Sequence, residues 1–299
     1  MEDRIITYGG QAVIEGVLMR GQKALALAMR APNGEIVVHT EPLSGLYQSV
    51  IAKIPFLRGV ILLSDALALG MKALTRSANL QSGEEEKIEG PALYLTIAIS
   101  LVFGIALFFL APYGIGKLID WLAALLGWST GDNVWVIAIT EGLARLILAI
   151  GYIWAIGKMP EIARVFQYHG AEHKTINAFE AGAALTPESV AQFPLEHPRC
   201  GTSFLLTLLI LSIFAFSLLH PLPWVWQVVG RILLIPILAG IAVEYIRWTA
   251  NHLHSPLVRA LVRPNFALQR LTTREPDTSM LEVAICAFQE MRKAEQTIC

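Results

Sequence analysis

Charge is scarce in this chain: only 16% of its 299 residues are Asp, Glu, Lys or Arg, against about a quarter in an average soluble domain. Cysteine is scarcer still, with three residues, at 200, 286 and 299. The basic residues are interspersed with acidic ones to a net charge of -1, so no basic patch marks a nucleic-acid footprint. A basic-then-apolar leader is missing from the first residues, and no cleavable signal is expected. The glycine-rich stretch 9–21 lacks the Lys-Ser/Thr that would make it a phosphate loop.

What replaces charge is hydrophobicity, at 55% of residues, and a bilayer is the expected solvent. Residues 92–111 and 200–219 are each twenty positions without a charge, long enough to cross a hydrocarbon core of about 30 Å as a helix. Two further runs are interrupted, 134–157 by Glu141 and Arg145 and 222–243 by Arg231. Four spans are therefore predicted, the first of which would direct insertion. Lys and Arg number nine in 1–90, four in 158–199 and seven in 245–299, but one in 112–133 and none in 220–223. Positive residues stay on the cytoplasmic side of short loops, so both termini and the loop 158–202 are expected there. Thiols on that side stay reduced, and no disulfide is expected.

The fold class that follows is mostly α: a four-helix transmembrane bundle with a small N-terminal cytoplasmic β-hairpin sheet and a C-terminal cytoplasmic helix. Residues 1–53 form the β-rich region, 54–90 an interfacial helix and polar linker, 91–246 the membrane domain, and 247–299 the helical tail. Pro32-Asn33-Gly34 between the extended runs 24–29 and 35–40 predicts a hairpin, because Asn and Gly tolerate positive φ. The glycines of 9–21 read as tight turns or points of close backbone approach. Gly59 to Met71 is too short an apolar run to cross, and 77–90 reads as a polar linker. Glu141 and Arg145 lie one turn apart, with Arg231 at a similar depth on the last span. An isolated charge in lipid costs several kcal/mol, so these three are expected to pair. In the tail, Met280, Val283, Ala284, Ala287, Phe288 and Met291 follow helical spacing and predict a packing stripe.

The chemistry concentrates in the middle loop. Pro160 can open a helix and Glu161 suits its positive end. That helix carries His169-Gly170-Ala171-Glu172-His173. Imidazoles at i and i+4 with a carboxylate at i+3 share one helix face. The order H-x-x-E-H is that of the inverted zinc hydrolases, in which both His bind the metal and the Glu handles the proton of the attacking water. His197 and Cys200, three residues apart at the entry to the third span, are further candidate ligands. Glu244, at the cytoplasmic end of the last span, is the candidate third ligand, with Glu180 as its nearer competitor.

Several stretches together resemble the YqhQ-like family of bacterial membrane proteins. They are 9–21, Ile54-Pro55 to Gly59, Met71-Lys72-Ala73-Leu74, Tyr168 to Lys174, His197-Pro198-Arg199-Cys200-Gly201-Thr202-Ser203-Phe204, and Leu268 to Pro276. The resemblance implies a multi-pass protein of the bacterial plasma membrane and a metal-dependent enzyme, and it places His169, Glu172, His173, His197 and Cys200 in family motifs. Two functions are expected in competition. One is a hydrolase at the cytoplasmic membrane rim that uses zinc or another divalent transition metal on a membrane-bound peptide or lipid-linked group. The other is a non-enzymatic scaffold or transporter subunit with a structural metal or polar cluster.

Overall fold

A computed structural model describes residues 8–43, 54–82, 90–127, 134–219 and 222–298. The extended runs near the start form β1 (Gly9–Val13), β2 (Gly16–Arg20), β3 (Ala24–Arg30) and β4 (Ile36–Pro42), an antiparallel meander in chain order. Asn33-Gly34 closes the β3–β4 hairpin as expected, with Gly34 at φ 89°. Glycine meets that backbone at no steric cost. The 9–21 stretch is the β1–β2 hairpin.

Both faces of this sheet are covered, which explains why β3 is apolar almost without alternation. Val17, Met19, Ala26 and Ala28 face two helices, α5 (Pro160–Glu180) and α10 (Thr278–Thr297). Leu18, Leu25, Leu27 and Met29 face α1 (Leu57–Gln81) through Leu69, Ala73 and Leu80. Helix α10 starts where Asp277 accepts the Met280 N–H at 2.9 Å, and its whole predicted stripe from Met280 to Met291 is buried. The tail helix thus packs on the sheet. Helix α1 runs on to Gln81, so residues 77–81 of the expected linker are helical; residues 83–89 lie outside the described ones.

The apolar segments form α2 (Gly90–Ile105), a π-helical turn at Ala106–Leu110, α3 (Ala111–Leu125), α4 (Val134–Ile156), α7 (Gly201–Ser217) and α8 (Trp224–Asn251). Among the described residues three helices, not four, are long and apolar enough to cross a membrane: Gly90–Leu125, Ile137–Ile156 and Val225–Asn251. Helix α7, expected to be the third span, has 17 residues because Cys200 caps its start and the chain leaves it at Leu218. The loop expected after residue 111 is helical as far as Leu125. Pro112 lies within it: its missing N–H leaves the Phe108 carbonyl open, and Arg145 Nε donates to that oxygen at 3.0 Å.

The charges within the apolar helices meet as the sequence predicted. Glu141 Oε1 accepts from Arg145 at 2.6 Å and Oε2 from Arg231 at 3.0 Å, with all three residues buried. Phe216 presents its ring to both guanidiniums, 5.3 Å from one and 5.5 Å from the other. This pairing fixes α4 against α8. Two shorter helices complete the chain: α6 (Pro187–Val190), and α9 (Pro256–Thr272), which packs against α7 and α4.

Candidate metal centre

Helix α5 starts at Pro160 with Glu161 in its first turn, as the sequence predicts. From Gly170 to Ile176 every residue is buried, so the helix is enclosed rather than laid on a surface with one apolar face. The sheet and α10 cover one side, and the 191–200 segment and the end of α9 cover the other. Its polar residues are therefore paired one by one. Lys174 Nζ donates to the Ala191 carbonyl at 2.9 Å and the Phe193 carbonyl at 2.8 Å, and meets Glu275 at 3.0 Å. Asn177 donates to the Pro194 and Glu196 carbonyls at 2.9 and 3.1 Å. Together they hang the 191–196 loop from α5. At the other end Tyr168 and Arg164 both donate to Glu15, the turn residue of the first hairpin.

Within this frame the two imidazoles are pre-oriented. His169 Nδ1–H donates to the Thr272 carbonyl at 2.8 Å, and His173 Nδ1–H donates to the Leu195 carbonyl. A carbonyl can only accept, so Nδ1 carries the proton in each neutral ring and Nε2 keeps its lone pair. The rings lie 4.4 Å apart. Cys200 Sγ is 3.3 Å from His169 Nε2 and sits at the α7 N-cap, where the Thr202 N–H points at it from 3.4 Å. The donor atoms of His169, His173 and Cys200 lie within 4.8 Å of one another and could hold a metal ion. Two imidazole nitrogens and a sulfur form a set that suits zinc, and a backbone acceptor behind each imidazole is the usual support of a ligating His.

Glu172 is 5% exposed, beneath the first strand. A Cβ on Gly10 would come within 2.8 Å of its carboxyl carbon, so the glycine permits that approach, and the Gly10 N–H donates to the carboxylate. Its Oε2 has no hydrogen-bond partner among the described residues. Burial pushes this carboxyl up to about 7, against the pull of His169 and the Gly10 N–H.

The remaining candidates are placed differently. His197 is buried beside His173, ring centroids 5.6 Å apart, but outside the group of three. Gln269 brackets its backbone, accepting the His197 N–H at 2.9 Å and donating to its carbonyl at 2.9 Å. Burial lowers the pKa of its ring, and Glu180, 3.8 Å away, opposes that shift. Glu180 itself pairs with Arg199. Glu244 does not join: its Oε1 accepts from Arg58 Nε at 2.7 Å and from the Phe56 N–H at 3.1 Å. The start of α1 lies against α8 where Gly59 meets Gly240, and that contact brings Arg58 to the carboxylate before any cation could claim it.

A family model described as "Protein of unknown function (DUF1385)" matches residues 54–294. The chain belongs to the DUF1385 family. It is 37% identical over 303 residues to a Bacillus subtilis (strain 168) protein titled "Uncharacterized protein YqhQ", covering 96% of this chain and 93% of that one. No solved structure matches. In this DUF1385 chain the stretches 9–21, 168–174, 197–204 and 268–276 meet around α5. Sequence reasoning missed Thr272, Leu195, Gln269, Gly10 and Lys174 as its supports.

Gly170, between the imidazoles, shows how tightly the layers close. A Cβ there would stand 2.1 Å from the Arg274 carbonyl oxygen. Gly170→Ala is expected to destabilise the protein by about 3 kcal/mol, the upper end for overpacking, because backbone rather than a flexible side chain must give way. Thermal unfolding in detergent reads this as a lowered midpoint. An unchanged midpoint would mean that the 272–276 segment is not seated on α5.

Proposed function

We propose that this protein is a metal-dependent hydrolase of the bacterial plasma membrane. Its site lies at the cytoplasmic rim and its substrate is a membrane-bound peptide or lipid-linked group. The observation that carries the reading is the triad His169, His173 and Cys200, whose donor atoms converge while each imidazole is held through its other nitrogen. Three protein ligands leave a position for water or substrate, as catalytic zinc sites require. Bound zinc would supply a Lewis acid and bring the ionisation of water near neutral pH.

Glu172 supplies the proton chemistry in this reading. A buried carboxyl held at about 7 takes a proton from water and returns it to the leaving group at neutral pH, which suits a general base that becomes a general acid. The Gly10 N–H keeps one of its oxygens in place and Oε2 remains free to accept. Placement at the cytoplasmic rim is supported by the excess of Lys and Arg in 1–90, 158–199 and 245–299, and membrane insertion by the apolar helices. We take α7 as a fourth crossing, since 17 residues stand at the short limit for one.

One observation favours a second reading, a closed shell in a scaffold or transporter subunit. Among the described residues His197 Nε2 is buried without a hydrogen bond, with Glu180 3.8 Å away, and a turn of that ring toward His173 would add a fourth ligand. The test is elemental analysis of gently purified protein, followed by replacement with cobalt. A hydrolase should carry one zinc per chain, and its cobalt spectrum should shift when azide or a hydroxamate occupies the free position. A spectrum that ignores both ligands in the wild type but responds in His197→Ala would establish the closed shell. Protein without stoichiometric metal would remove the basis of either version.

A further inference from the structure

Helix α9 starts at Pro256, directly after α8 ends at Asn251, and its faces divide sharply. Val258, Val262, Asn265, Leu268, Gln269 and Thr272 are buried against the protein. On one edge of the exposed side Leu257 and Leu261, one turn apart, are 68% and 47% exposed. On the opposite edge Arg259 and Arg263, also one turn apart, are exposed, and their side chains hold no hydrogen bond or ion pair among the described residues. A helix with leucines along one edge and arginines along the other, continuous with a membrane span, is built to lie in the interface of an anionic bilayer. We propose that α9 is a binding site for anionic phospholipid headgroups of the leaflet on the sheet side, with Leu257 and Leu261 among the acyl chains and Arg259 and Arg263 on the phosphates.

The far end of the same helix supports the candidate metal centre. Gln269 brackets the His197 backbone and donates to Ser203 Oγ at 2.8 Å, and the Thr272 carbonyl orients His169. Lipid engagement and imidazole alignment therefore share one helix, with Pro264 between the two ends. This second consequence rests on the hydrolase reading: anionic lipid should tighten cobalt binding to the wild type.

The lipid site is tested without any metal. Binding of fluorescent phosphatidylglycerol to the detergent-solubilised full chain is measured in competition with unlabelled phosphatidylglycerol or phosphatidylcholine. Phosphatidylglycerol should compete and phosphatidylcholine should not. Arg259→Gln and Arg263→Gln should each weaken binding about fivefold, the worth of one basic residue at an anionic surface. Lys substitutions should restore it, and Lys293→Gln, on α10, should leave it unchanged. Equal competition by both lipids, or full binding by the double Gln variant, would overturn the assignment. So would a disulfide-linked dimer of Leu261→Cys in native membranes, because a second copy of the chain would then own this face. Failure of metal binding leaves the lipid measurement intact, so the two proposals fall separately.

Discussion

Glu141→Ala will destabilise the helical bundle by about 3–5 kcal/mol, the cost of deleting one partner from a buried ion pair. Two guanidiniums lean on that single carboxylate, at 2.6 Å from Arg145 and 2.9–3.0 Å from Arg231, and all three side chains are shielded. Removing it leaves two like charges facing each other across Phe216. Arg145 keeps the Phe108 carbonyl, whereas Arg231 loses its carboxylate. Replacing all three by leucine should recover most of the loss, since buried ion clusters contribute little net stability compared with well-packed apolar groups. Unfolding in mixed micelles measures both. A cluster that only fixes helix register predicts an active triple variant, and loss of function in a stable triple variant would reveal a role in moving charge.

The second large effect separates holding the cation from using it. His169→Ala or Cys200→Ser takes away a ligand and should weaken cobalt or zinc binding by more than about 100-fold, the upper cost of losing merely a supporting partner. Glu172→Gln should keep the metal and the fold. Gln preserves the size of the side chain and an acceptor for the Gly10 N–H. Hydrolysis should nevertheless fall by about 10²–10⁴, the usual share of a positioned general base. Turnover is read on peptide and lipid-ester substrates in membranes of the overproducing strain against those of the variant. Full turnover in Glu172→Gln would exclude the acid–base role, and loss of metal in that variant would make Glu172 a ligand instead.

Much of this arrangement is legible in the residues, and what is not has a physical reason. Short-range patterns carried the Asn33-Gly34 hairpin, the α10 stripe, the start of α5 at Pro160 and the pairing of Glu141 with Arg145, while Arg231, 90 residues away, followed from its similar depth on the last span. The H-x-x-E-H spacing brought His169 and His173 together, and a weak His-x-x-Cys brought Cys200. The supports of the site left no trace because Thr272 and Leu195 act through main-chain carbonyls, which every residue possesses. The enclosure of α5 was hidden for a similar cause: Glu172, Lys174 and Thr175 are buried with private partners, so no hydrophobic periodicity announces a two-sided helix. Glu244 looked free at the end of a span, and only the contact of Gly59 with Gly240, invisible along the chain, delivers Arg58 to it.

The 103-residue separation between His169 and its acceptor Thr272 sets an order of events during biosynthesis. Helices α7 and α8 leave the ribosome before Thr272 does, so the apolar helices are made while His169 still lacks its acceptor. A nascent chain halted at α8 therefore holds the acceptor of His173, Leu195, but not that of His169. On the metal-centre reading, a cation is held with both imidazoles oriented only by the finished polypeptide.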